Sequence, residues 1–549
     1  MIPDTYSDDD VTCIPYGVGH HGEGIALELR LGRHRILLDC GLADISSLAT
    51  APDGSSGLDW VVCSHAHDDH SLGLNDFSRR WPQVPIYTSL GTAALLDHVP
   101  DDSLQPLAWR TPCRLAEDLI LELWPAGHLP GAACILLTYY RQGQSYRIFY
   151  TGDCCISNTR LVEGLPLADL RGLSPDILIL EGSLGASRYP NRRQQENQLV
   201  NQLRSHLATP RCVVFPVPLL GLGQELLMLW RSHYYFTGQP LTIWVDPAIA
   251  QGCDAYLELL EQQPDVFPRS VQNFAQHQAL FWDRRISPTI QRLATEAIEP
   301  PAVLLVHPAT PATHYCSSYP GPWSVFLPEG VDLTLWQRQL NRHGPAYDWL
   351  DSFKNATASG TLALETYQLH SHCDGSSTTQ LIHNLRPRHV LLVHGLLERL
   401  SALANLESLQ SRYKLHIPLP HHPLTLHLNT QFASPPPPQE ATFEGTIGET
   451  EEQVTVQLPM TVTQDIRWQH FTETGIVEAR WQGDQLVLRG LDPAELMGVS
   501  NRLAPDRTVC DNCRFYRQRH CQQPRSPLYG RQVAADGSCP EFKKRPAIP

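Results

Sequence analysis

The run Ser64-His65-Ala66-His67-Asp68-Asp69-His70 brings three imidazoles and the Asp69 carboxylate together within six residues. Imidazole nitrogens suit Zn²⁺, and carboxylate oxygens complete the donor sets of hydrolytic metal sites. The run follows Asp59-Trp-Val-Val-Cys63, a strand-like apolar segment. Side chains that alternate across a sheet can converge where such a strand gives way to a loop. One run cannot fill two coordination spheres, so further donors are needed at the ends of later strands. They occur as His128 in Trp124-Pro-Ala-Gly-His128, Asp153 in Phe149-Tyr-Thr-Gly-Asp153 and His394 in Val390-Leu-Leu-Val-His394. A lone histidine is ordinarily a satisfied core or loop residue. Three more donors in the same strand-end setting argue for one shared site.

Short Val/Ile/Leu-rich segments must position these residues. Ile25 to Arg30, Arg35 to Leu38, Trp60 to Cys63, Leu119 to Trp124, Arg147 to Tyr150 and Ile177 to Leu180 are separated by polar, glycine-containing turns and helical stretches. That alternation predicts a layered α/β unit over residues 12–185. A helix over Asn191 to Ala208 opens a second region, 186–365, with a strand at Cys212 to Phe215, a helix at Gln224 to His233 and a strand at Leu241 to Val245. After Thr366 the first pattern returns with a helix at Thr378 to Leu385 and a strand at Val390 to Val393, so the middle region reads as an insertion completed by residues 366–425. Ser434-Pro-Pro-Pro-Pro438 lies in a linker, 426–441. A small β-rich module over 442–500 and a tail over 501–549 follow.

The chain has 549 residues, 42% hydrophobic and 18% charged, which is globular composition for more than one domain. No apolar stretch approaches the ~20 residues of a membrane span, and the acidic start Met1 to Asp10 lacks the flanks of a signal peptide. The expectation is a cytoplasmic protein with no membrane partner. Net charge is −15, which excludes attraction of nucleic acid by the field of the whole molecule. The tail departs from that balance, with nine basic against three acidic residues from Arg507 onward. Eleven of the fifteen cysteines are scattered and read as reduced thiols. The other four form Cys510-x2-Cys513-x7-Cys521-x17-Cys539, a ligand set for Zn²⁺ or an iron–sulfur cluster. Arg514, Arg517, Arg519, Arg525 and Lys543 to Arg545 make that segment a candidate nucleic-acid clamp.

These motifs resemble those of the metallo-β-lactamase superfamily, specifically its β-CASP nucleases. Asp39 in Ile36-Leu-Leu-Asp-Cys-Gly41, the run His65 to His70, His128 and Asp153 stand in the order of the superfamily's first four motifs. Glu181 in Leu178-Ile-Leu-Glu-Gly-Ser183, His372 in His370-Ser-His-Cys-Asp374 and His394 match motifs A, B and C. Within the insertion, Phe215 to Glu225 and Trp244 to Ala250 are similar to two further family segments. Leu222 stands where the family usually has arginine, and Leu304 to Thr310 replaces a Ser-Ser-Gly-Met stretch. The implied fold is an αββα metallo-β-lactamase sandwich carrying an inserted β-CASP domain.

The resemblance implies a two-zinc hydrolase in which Mn²⁺ can substitute. His65, His67 and His128 hold one ion, Asp69, His70 and His394 the other, and Asp153 bridges them. Two such ions activate water and neutralise charge on a phosphoryl group undergoing in-line displacement. Asp39 orients a ligand imidazole from behind. His372 donates a proton or hydrogen bond to the scissile phosphate or leaving oxygen, and Glu181 holds its tautomer. A histidine at motif C is similar to the RNA-processing members, which implies hydrolysis of single-stranded RNA to 5′-phosphate and 3′-hydroxyl ends. Dimerisation is common in the family. Two other readings share the fold: a catalytically inactive RNA-binding or scaffold protein, and a small-ester or thioester hydrolase.

Overall fold

The computed structural model describes residues 10–427 apart from 49–55, 97, 284, 294–297, 311–320 and 330–361. Beyond 445 it describes 446–449, 454–464, 468, 477–482, 485–490, 513–517, 520–524 and 543. The proline run, Cys510 and Cys539 lie outside the described residues. The chain divides into two compact units, 1–441 and 442–549.

The first unit begins with Asp10–Val18 (β1), Ile25–Leu31 (β2), His34–Leu38 (β3), Trp60–Val62 (β4), Ile86–Ser89 (β5) and Leu104–Leu107 (β6). Next come Cys113–Ala116 (β7), Leu119–Pro125 (β8), Ala133–Arg141 (β9), Gln144–Tyr150 (β10) and Ile177–Glu181 (β11). The insertion supplies Cys212–Pro216 (β12), Thr242–Val245 (β13), Thr289–Arg292 (β14), Ala302–Val306 (β15), Trp323–Pro328 (β16) and Leu362–Tyr367 (β17). His389–Val393 (β18), Lys414–His416 (β19) and Leu424–His427 (β20) complete the unit.

Two seven-stranded sheets form the sandwich, in the orders β20-β1-β2-β3-β4-β5-β6 and β19-β18-β11-β10-β9-β8-β7. Their facing sides share a core that includes Leu27, Leu29, Leu38, Val62, Leu121, Ile135, Tyr150, Ile179 and Val393. β18 pairs in parallel with β11, from Ile177 opposite His389 to Glu181 opposite Val393, so residues after the insertion return to the middle of the second sheet. Both strands are buried along their whole length. That is why they read as continuous apolar runs rather than alternating ones.

The inserted sheet has six parallel strands in the order β14-β13-β15-β12-β16-β17. Its strand β17 ends at Tyr367, two residues beyond the 365 boundary expected from sequence. Helices Arg192–Leu207, Leu222–Ser232 and Pro247–Gln262 belong to this region. Asn191 caps the first by accepting from the Gln194 amide, and Asp246 caps the third by accepting from the Ala248 amide with Pro247 in the first turn.

In the second unit, Thr446–Glu449 pairs with Val454–Gln457, Val477–Gln482 with Gln485–Gly490, and Tyr516–Arg517 with His520–Cys521. Among the described residues no helix is long and apolar enough to cross a membrane, and the cysteines are free.

Candidate active site

Every residue of the expected site lies at or beyond the carboxyl end of a strand: Asp39 after β3, His65 to His70 after β4, His128 after β8 and Asp153 after β10. Glu181 ends β11, His372 follows β17 and His394 follows β18. β10, β11 and β18 run parallel, as do β3 and β4, which gathers these ends on one side of the sandwich. Ligands bind at carboxyl strand ends in α/β folds because the loops there are free to present side chains.

One cluster is His65, His67, His128 and Asp153; another is Asp69, His70 and His394, and within each the donor atoms lie within 4.8 Å of one another. His67 Nδ1 is 3.2 Å from His65 Nε2 and 3.1 Å from His128 Nε2. A tetrahedral ion with ~2.0 Å bonds to nitrogen sets its ligands roughly 3.3 Å apart, and these two separations match that spacing. Asp153 Oδ2 lies 3.6 Å from both His65 Nε2 and His128 Nε2, while its Oδ1 lies 3.3 Å from His70 Nε2. Asp153 therefore offers one oxygen to each cluster. His70 Nε2 and Asp153 Oδ1 are buried, and at 3.3 Å from each other they make no hydrogen bond of good geometry. Two buried polar atoms left in this way cost free energy unless a further group satisfies them. The donor set fits divalent metal.

The remaining imidazole nitrogens are directed by oxygen partners. His67 Nε2 donates to the Leu220 carbonyl at 3.3 Å, and His128 Nδ1 to the Ser371 carbonyl at 2.9 Å. The Ser64 hydroxyl donates to Asp39 Oδ2 at 2.8 Å, so at 3.0 Å its oxygen accepts from His65 Nδ1. Each of these three rings thus turns a lone pair toward the others. Burial holds His65, His67 and His128 below the usual imidazole range, which keeps those lone pairs free of protons at neutral pH. Burial acts the same way on His70, but the carboxylates of Asp153 and Asp39 outweigh it and raise that group well above the ordinary value.

Asp39 is fully buried behind the site. Its Oδ1 accepts from the Ser64 amide at 2.6 Å, and its Oδ2 accepts from His70 Nδ1 at 2.7 Å and the Tyr150 hydroxyl at 2.6 Å. Asp39 and His394 both adopt left-handed backbone, with φ of 58° and 53°. Asp and His are among the residue types enriched there.

Glu181 and His372 sit beside both clusters, with His372 Nδ1 3.2 Å from Glu181 Oε1 and 4.0 Å from Asp153 Oδ2. Burial alone lowers the His372 imidazole, but the Glu181 carboxylate next to it, helped by Asp153, pushes it up to about 9. His370, two residues earlier, goes the other way, lowered by burial to about 4. It packs against Tyr189 with ring centroids 4.2 Å apart.

A Beta-lactamase superfamily domain matches residues 34–195, and a Zn-dependent metallo-hydrolase RNA specificity domain matches 362–418. Uncharacterized protein sll0514 of Synechocystis sp. is 43% identical over 97% of each chain. Probable RNase MJ4 of Methanocaldococcus jannaschii is 28% identical over 38% of this chain and 53% of its own length. Endoribonuclease YSH1 of Mycosarcoma maydis is 22% identical over 80% of this chain and 54% of its own. The chain belongs to the β-CASP metallo-β-lactamase family. It spans about half the length of the two ribonucleases named, and nearly all of the Synechocystis protein.

Members of the β-CASP metallo-β-lactamase family are metal-dependent hydrolases, and both matched segments border the site. The first contains Asp39, both halves of the His65 to His70 run, His128, Asp153 and Glu181; the second contains His372 and His394. From within the inserted sheet's region, the loop Val217 to Gly221 reaches the site through the Leu220 carbonyl, which faces His67 Nε2. That carbonyl, Ser64, Tyr150, Ser183 and the Ser371 carbonyl are the functional groups that the sequence reading missed. Ser64 and Ser183 stood beside named motif residues; the two carbonyls carry no residue-type signal at all. Of the four tail cysteines, Cys513 and Cys521 are buried beside the Tyr516–Arg517 and His520–Cys521 hairpin.

Proposed function

We propose that this chain is a zinc-dependent ribonuclease that hydrolyses single-stranded RNA to 5′-phosphate and 3′-hydroxyl products. The observation that carries the reading is the pair of donor clusters sharing Asp153, with the Glu181–His372 pair alongside. The names of the relatives and the RNA specificity domain support RNA as the substrate class.

In this reading His65, His67 and His128 would hold one ion and Asp69, His70 and His394 the second, with one Asp153 oxygen available to each cluster. When bound, two divalent ions supply Lewis acidity to the scissile phosphate and lower the pKa of water toward neutrality. Asp39 keeps the His70 ring turned so that Nε2 faces Asp153, and through Ser64 it does the same for His65. His372 gives its Nδ1 proton to Glu181 as a hydrogen bond and keeps its Nε2 proton for the departing 3′ oxygen. The Glu181 carboxylate keeps that imidazole charged at neutral pH, so the donor is loaded before substrate arrives. Mn²⁺ replaces Zn²⁺ in the same donor set. At the tail, the burial of Cys513 and Cys521 supports a separate site for zinc or an iron–sulfur cluster, for which Cys510 and Cys539 would be the further ligands.

The test is cleavage of 5′-labelled single-stranded RNA with zinc or manganese, wild type beside His372→Ala, with metal content measured on both. Loss of a general acid lowers the rate by about 10² to 10⁴. Two active-site ions on both proteins, with cutting by the wild type alone, supports the reading. Two ions and no cleavage of RNA by either protein refutes it in favour of a scaffold or a small-ester hydrolase, which a parallel thioester assay separates.

A further inference from the structure

Ser183 lies outside the motif positions, yet it touches two of them. Its hydroxyl oxygen is 2.7 Å from Glu181 Oε2 and 2.7 Å from His394 Nδ1, and its amide donates to the same Glu181 oxygen at 3.0 Å. A serine hydroxyl has one proton, and an ionised carboxylate only accepts. The proton therefore goes to Glu181, and the Ser183 oxygen must accept from His394 Nδ1. Asp153 Oδ1, the other oxygen near that nitrogen, is farther away at 3.5 Å and lies closer to His70 Nε2, at 3.3 Å. The direction of the whole chain is then fixed. His394 Nδ1–H donates to Ser183, Ser183 donates to Glu181 Oε2, and Glu181 Oε1 accepts from His372 Nδ1. His394 is left with Nε2 facing Asp69 Oδ2 at 3.1 Å, inside the second cluster.

We propose that Ser183 is a positioning residue that sets the His394 tautomer, so that Nε2 serves the second ion, and ties this ligand to the Glu181–His372 pair. The inference rests on the two-ion reading above and deepens it. A short strand-end turn makes the arrangement possible. Gly182 donates its amide to the Val393 carbonyl, which holds the 181–183 turn against the end of β18, and Arg399 Nη1 donates to the Ser183 carbonyl at 3.0 Å. The serine is thereby held by the residue before His394 and by Arg399 beyond it.

The experiment measures zinc binding to the full chain by chelator competition, for wild type, Ser183→Ala and Ser183→Thr, with unfolding temperature as a check on folding. Alanine leaves His394 Nδ1–H without its acceptor. Because loss of the group behind a ligand histidine lowers metal affinity about 10- to 100-fold, the second-cluster ion should dissociate that much more readily, while the first-cluster ion stays within about threefold. Threonine keeps the hydroxyl and should restore the second ion. A ¹⁵N spectrum of histidine-labelled, zinc-loaded wild type should show His394 protonated at Nδ1 and metal-bound at Nε2, whatever the fate of the variants. Metal at Nδ1, or folded Ser183→Ala binding both ions as wild type does, overturns the inference and leaves the two-ion reading intact. Wild type that binds no zinc at either cluster overturns both.

Discussion

Replacing Asp39 with asparagine keeps its volume and removes its charge, and the geometry says which bonds survive. With the amide oxygen in the place of Oδ2, the bonds from Ser64 Oγ, His70 Nδ1 and Tyr150 persist, and the new NH₂ group meets the Ser64 amide N–H that Oδ1 accepted at 2.6 Å. The opposite orientation sets three donors against NH₂, so the first is adopted. It leaves one buried donor–donor encounter, a cost of about 1–3 kcal/mol. The three retained bonds also lose their charge assistance, which is roughly half their strength. His70 feels this directly; His65 feels it one bond further away, through Ser64. The second ion should therefore weaken about 10- to 100-fold, or about 1.4–2.7 kcal/mol, and the first ion less. Chelator competition on wild type and Asp39→Asn reads both affinities, and Tyr150→Phe, which removes one donor worth roughly 0.5–1.5 kcal/mol, should fall between them. Second-ion affinity within about twofold of wild type, or a larger loss at the first ion, would refute this account of Asp39.

Three further outcomes are expected. In metal-free protein, histidine NMR should place His372 at about 9, so the ring is charged at neutral pH and loses its proton only as pH rises through that value; Glu181→Gln should move the titration down, since burial then acts against a weaker opponent. A Cβ at Gly41 would run into the Asp69 carbonyl and come within 2.8 Å of the His70 amide, so Gly41→Ala should lose the second ion before the first in metal analysis. Chelation should lower the unfolding temperature of the first unit, because an ion present at a hundred times its Kd contributes about 2.7 kcal/mol; an unchanged melting curve after complete metal removal would contradict a structural share for these ions.

Much of the site could be read from the chain because its chemistry lies in residue types. His128, Asp153 and His394 each follow an apolar strand that any alternation search finds, and the His65 to His70 run is dense enough to be seen alone. The strands hardest to see are those that break their own pattern. β1 contains Pro15 and shifts register between Pro15 and Gly17, so its pairing with β2 and with Leu424–His427 leaves little alternation to detect. The groups that orient the ligands are hidden for a different reason. Tyr150 ends an apolar strand and looks like core, and His67 is 153 positions from the carbonyl it reaches. A backbone carbonyl is offered by every residue type, so its use cannot be read from the residue itself.

The hydrogen bond from His67 to the Leu220 carbonyl has a consequence for modularity. The insertion looks like a unit that could be cut out, since both flanks belong to the sandwich and its six strands form a sheet of their own. Excision would take the acceptor of His67 Nε2 with it and free that ring to rotate. The sandwich alone is therefore not a smaller version of the same catalyst. Engineering that shortens or exchanges the insertion must preserve the Val217 to Gly221 loop, because its Leu220 carbonyl fixes the His67 ring.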